Sequence, residues 1–165
     1  MKKILFFLFL SLSAFLNANE KNNKLADLLH SFGNNGEYAQ MDSVYNLIIH
    51  EDHYKQDKLY ALNITLDYAR FLNQKGDSER ANTLLTQIPE NAMALEKFPE
   101  NTKAHQLQEI AAIATYEIAY GQWQNNQLPA ARETAEEAVS QLEQVKDSVN
   151  LAVAYNIWGG IHHRF

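Results

Sequence analysis

The residues best equipped for chemistry in this chain are a histidine pair, several carboxylates and one aromatic stripe. His50-Glu51-Asp52-His53 sets two imidazoles three positions apart with carboxylates between them. On a helix that spacing brings both rings to one side, where they can share a divalent ion. A stable site needs further ligands, and His105, His162 and His163 lie far along the chain. His162 and His163 are also adjacent, so on a helix they point apart. The segment reads as a solvated turn at the end of a helix, and no metal is expected.

Nucleophilic chemistry has less support still. Ser31, Ser43, Ser78, Ser140 and Ser148 lack a Gly-x-Ser-x-Gly setting. Gly159-Gly160 lies in a helical pattern with no Lys-Ser/Thr after it, so it is not a phosphate loop. Glu133, Glu136, Glu137 and Glu143 fall on the polar side of one helical pattern and read as a solvated face. The chain has no cysteine, which removes thiolate nucleophiles, disulfides and Cys-type zinc sites. Neither an enzyme nor a cofactor is expected. Tyr116, Tyr120 and Trp123 recur at i, i+4 and i+7. That stripe is either an anchor for a partner or the core contact with a neighbouring helix.

Composition narrows the scaffold that must hold these residues. A length of 165 residues predicts one domain. Fourteen basic against 20 acidic residues give a net charge of −6. This argues against nucleic acid as partner, since phosphate binding needs a basic stripe, and against a polybasic membrane surface. At 46 % hydrophobic the chain is globular, and six Gly with three Pro leave little punctuation for an all-β fold. Lys2 and Lys3 precede a thirteen-residue apolar run, Ile4 to Leu16, and then Ala18. This is the layout of a signal peptide over 1–18, cleaved after Ala18, which predicts a periplasmic or secreted protein. Its removal leaves 12 basic and 20 acidic residues, a net charge of −8.

The remainder, 19–165, predicts paired helices. Leu25, Leu28, Leu29 and Phe32 form a first amphipathic stripe, ended by Gly33-Asn34-Asn35-Gly36. Tyr38, Met41, Tyr45 and Ile48 form a second. A third helix from about Asp57 to Gln74 is apolar over a broad arc, which predicts burial against several neighbours. Gly76 and Asp77 suit a helix end and the next N-cap, and Pro89 is expected to stop the fourth helix. Residues 89–102, with two Pro-Glu-Asn triplets, read as a loop holding at most one turn of helix at 92–97. Lys103 to Gln124 predicts a fifth helix, Pro129 the first turn of a sixth, and Ser148 the start of a seventh.

Three features recur in order: a small residue late in one helix, a tight polar turn, and a small residue one turn into the next. Tyr68-Ala69, Lys75-Gly76-Asp77 and Ala81 supply them once; Ile118-Ala119, Asn125-Asn126-Gln127 and Ala131-Ala138 supply them again. This resembles the tetratricopeptide repeat, a helix–turn–helix unit of about 34 residues that stacks into an α-solenoid. The likeness is best over 62–89 and 112–139. It implies units at about 57–89 and 103–146, a degenerate one at 24–50 with Met41 in the small position, and the start of another at 148–165. The intervals Met41–Ala81 and Ala81–Ala131 are 40 and 50 residues, longer than the family unit, and Gln122 replaces a favoured aromatic.

The resemblance implies a non-enzymatic interaction scaffold with a concave groove lined by the first helix of each pair. Carried onto this sequence, the groove comprises Asn63, Arg70, Asn73, Tyr116, Tyr120, Trp123, Asn156 and His163. Its partner would be a protein or peptide, with no membrane contact by the repeats themselves. Leu66 and Tyr116 stand where terminal-carboxylate-binding members carry polar groups, so that specificity is not implied. The seventh helix has no second helix after it, and solenoids normally end in a polar cap. Further repeats, or a membrane-tethered output domain, are therefore expected beyond Phe165; the alternative is a complete small protein whose seventh helix is itself the cap. That leaves a second reading: the extracytoplasmic sensory region of a bacterial histidine kinase, diguanylate cyclase or transcriptional regulator.

Overall fold

The computed structural model describes residues 18–97 and 103–163, so the expected signal segment falls outside the described residues except for Ala18. The described secondary structure is entirely helical: the fold is all-α. The helices are α1 (Ala18–Asn34), α2 (Tyr38–Ile48), α3 (Asp52–Gln56), α4 (Lys58–Lys75), α5 (Ser78–Leu85), α6 (Gln87–Glu96), α7 (Ala104–Gln124), α8 (Leu128–Val145) and α9 (Ser148–His162). They fall into two compact units, 1–57 and 58–165.

The turns explain why the helices break where they do. Gly36, Gly76, Asn126 and Lys146 all take a left-handed conformation, with φ of 71°, 87°, 59° and 58°. At each, the left-handed residue donates its N–H to the carbonyl three positions back. The next residue donates to the one five back, as in Glu37 to Phe32, Asp77 to Leu72, Gln127 to Gln122 and Asp147 to Leu142. This is the Schellman arrangement, which satisfies the last carbonyls of a helix and turns the chain sharply. Glycine takes that conformation without penalty and asparagine with little, which is why three of the four are recognisable in sequence. Lys146 is not a residue that announces such a turn.

Five positions beyond the first three of these turns stand Met41, Ala81 and Ala131, each fully buried. Ala81 and Ala131 are small enough to let the two helices of a hairpin close up, whereas in the first hairpin the larger Met41 fills this position. In the first unit α1 and α2 pack around Leu25, Leu29, Met41, Val44 and Ile48. Lys21 also reaches both carboxylate oxygens of Glu51, at 2.9 and 2.8 Å.

In the second unit α7 is the central element, packed against α4, α5, α6, α8 and α9. It is buried nearly all round, from Leu107 and Ile110 through Ala112 and Ala114 to Ala119 and Gly121. At Gly121 α7 lies close against α4 and α5. A Cβ there would stand 3.0 Å from Asn73 Oδ1, 3.1 Å from Asn82 Oδ1 and 3.4 Å from Ser78 Cβ.

Two expectations are corrected. The expected loop at 89–102 is helical as far as Glu96, because α6 begins at Gln87 and Pro89 sits in its first turn. Proline is tolerated there since its missing N–H has no intrahelical partner to lose. The fourth helix accordingly stops at Leu85, before the proline. The chain also forms a short extra helix, α3, where no element was expected.

Candidate binding cleft

Side chains of α4, α7 and α9 enclose a cleft of about 410 Å³ in the second unit. Arg70 and Gln74 come from α4, and Tyr116, Glu117, Tyr120 and Trp123 from α7. Val153, Asn156, Ile157 and Gly160 come from α9. These are the helices that the repeat reading takes as the first of each pair. Tyr116 is almost wholly buried, whereas Tyr120 and Trp123 are half-buried with ring centroids 6.1 Å apart. Trp123 also packs on α9: a Cβ at Gly160 would lie 3.6 Å from its Cζ2. The aromatic stripe therefore joins two helices and lines the cleft at once.

Five of the eight expected groove residues border this cleft: Arg70, Tyr116, Tyr120, Trp123 and Asn156. Asn73 does not. It is fully buried, because α7 covers it, and its Nδ2 donates to the backbone oxygen of Glu117 at 2.9 Å. Asn63 is exposed and turns back to the Leu59 carbonyl of its own helix, 2.9 Å away. His163 is exposed just past the end of α9 and does not border the cleft.

The residue that sequence reasoning missed is Glu117, whose side chain is only 4 % exposed. A buried carboxylate is costly unless paired and hydrogen-bonded. Arg70 Nε donates to its Oε1 at 2.9 Å, and Asn73 Nδ2 to its Oε2 at 3.2 Å. Burial pushes the Glu117 carboxyl above the ordinary range, with the Arg70 charge opposing. Burial likewise raises the Tyr116 phenol, and the neighbouring Glu117 charge adds to the effect. The missed signal was a lone acid in the run Ala111–Ala119, otherwise apolar but for Thr115 and Tyr116, opposite an Arg and an Asn three apart on another helix. Val153 and Ile157, one turn apart on α9, line the cleft without being among the expected groove residues.

Elsewhere, His50 stands in the turn after α2 with its Nδ1 2.6 Å from the Asn46 carbonyl, while His53 belongs to α3. Among the described residues no three His, Asp or Glu side chains gather into a metal-binding group. Nor is any helix among them long and apolar enough to cross a membrane. No family model, curated protein or solved structure matches this chain.

Proposed function

We propose that the second unit is a non-enzymatic protein-interaction scaffold of tetratricopeptide type, in a protein exported by its N-terminal segment. The single observation behind this reading is the cleft on α4, α7 and α9, which combines aromatic and aliphatic walls with a few polar groups. Rigid aromatics bury much area at little entropic cost, so Tyr120 and Trp123 suit an anchor side chain of a bound segment. Val153 and Ile157 widen the apolar wall. Gln74 and Asn156 each offer an amide that both donates and accepts, as the main chain of an extended peptide requires.

Arg70 contributes orientation. Glu117 occupies its Nε, and no protein group accepts from its two terminal nitrogens among the described residues. A bound segment that supplies an oxygen there gains a charge-assisted hydrogen bond. Panning a random peptide display library on the full chain tests the proposal. Selected peptides should bind wild type and lose at least about tenfold in affinity to Val153→Asp, which puts a charge into the apolar wall. Peptides that bind both proteins equally, or a library with no enriched sequence, would refute it.

A further inference from the structure

We infer that Asn35 is a site of spontaneous deamidation through a cyclic imide, and that the turn between α1 and α2 ages chemically where its counterparts do not. Asn35 and Gly36 are both exposed in this turn. No hydrogen bond holds the Asn35 side-chain amide among the described residues, so it is free to rotate toward the following main-chain nitrogen. That nitrogen belongs to Gly36, which has no Cβ to shield it.

The chemistry needs only water. The Gly36 nitrogen loses its proton and attacks Asn35 Cγ, forming a C–N bond. The Cγ–Nδ2 bond breaks, and the amide nitrogen leaves as ammonia after taking up a proton. Water then opens the five-membered imide at either carbonyl, giving aspartate or its β-linked isomer.

The equivalent turns provide an internal comparison. Asn125 holds the place equivalent to Asn35, before a left-handed residue, but that residue is Asn126, whose Cβ crowds the attacking nitrogen. At Gly76 the preceding residue is Lys75, which has no amide to lose. The Gly36 N–H donates to the Gly33 carbonyl at 3.1 Å, so attack proceeds from molecules in which this single bond has opened.

The product is damaging in this place. A new carboxylate at the C-terminal end of α1 faces the negative end of the helix macrodipole, close in sequence to Glu37. The β-linked isomer also inserts a methylene into a turn closed by the 2.8 Å bond from Glu37 N–H to the Phe32 carbonyl.

The full chain is incubated in mildly acidic and mildly alkaline buffer and digested at intervals for peptide mass mapping. The peptide containing Asn35 should gain about 1 Da and split into two chromatographic species, faster in alkaline buffer. It should convert at least about tenfold faster than Asn125, whose following residue carries a Cβ. Asn35→Gln should abolish the gain at that position. Equal rates at Asn35 and Asn125, or no gain at Asn35 in alkaline buffer, would overturn the inference.

Discussion

Arg70 and Glu117, 47 positions apart, are joined by a 2.9 Å hydrogen bond from the arginine Nε to a carboxylate that is almost wholly buried. Asn73, one turn further along α4, takes the second carboxylate oxygen. The bond does two things. It joins the Asn73 bonds in tying α4 to α7 through polar contacts, and it holds the guanidinium at the edge of the cleft.

Glu117 should make stability depend on pH. Burial raises its folded-state pKa above the unfolded value, so in the window above the ordinary carboxylate range the folded protein holds more protons than the unfolded one. Stability then falls as pH rises through that window. Glu117→Gln removes the titration while keeping an oxygen for Arg70. Urea unfolding of both proteins should show the wild type losing ground to Glu117→Gln from pH about 4 upward. A constant difference between them would contradict the raised pKa.

Two helical glycines should respond oppositely to alanine. At Gly121 the new methyl meets two buried amide oxygens at 3.0 and 3.1 Å. Overpacking of this kind costs about 1–3 kcal/mol, against about 1 kcal/mol gained from helix propensity, so Gly121→Ala should be a net loss. Gly159 has nothing within 4 Å of its Cβ position. There Gly159→Ala should stabilise by about 0.5–1 kcal/mol. Thermal denaturation separates the two signs.

Asp147 caps α9 by accepting from the N–H groups of Val149 and Asn150, at 3.2 and 3.0 Å. Burial works against its charge, but the bonds from Asn150 and Val149 outweigh it and hold its carboxyl below the ordinary range. Asp147→Ala should cost about 1 kcal/mol at neutral pH. Because the folded pKa is lowered, the wild-type advantage should be complete above the unfolded pKa and fade as pH falls through the folded one. Calorimetry of both proteins across the acid range measures this.

The helices and most of their ends were legible because periodicity and turn chemistry agree. Gly36, Gly76 and Asn126 are residues that tolerate positive φ, and the small residues Ala81 and Ala131 follow at a fixed offset. The α6 helix is not legible from its proline, because Pro89 reads as a terminator by type yet occupies a first turn that proline suits. For the cleft, helical spacing gave the face of α7, since Tyr116, Tyr120 and Trp123 share one stripe. Spacing alone does not say how deep each neighbour lies, so it puts Asn73 on the groove although α7 buries it, and it gives no sign that Glu117 is buried. Long-range pairing of a buried charge is a tertiary fact that a single helix pattern does not carry.

The most direct measurement is the emission of Trp123 in a Trp158→Phe background, titrated with a peptide selected on the full chain. Trp123 and Trp158 are the two tryptophans of the chain, so the signal then comes from the cleft. A saturable change in its emission, with a midpoint that moves to at least about tenfold higher peptide in Val153→Asp, is the predicted result. Saturable binding measured calorimetrically with no change in Trp123 emission would contradict a partner site on α4, α7 and α9.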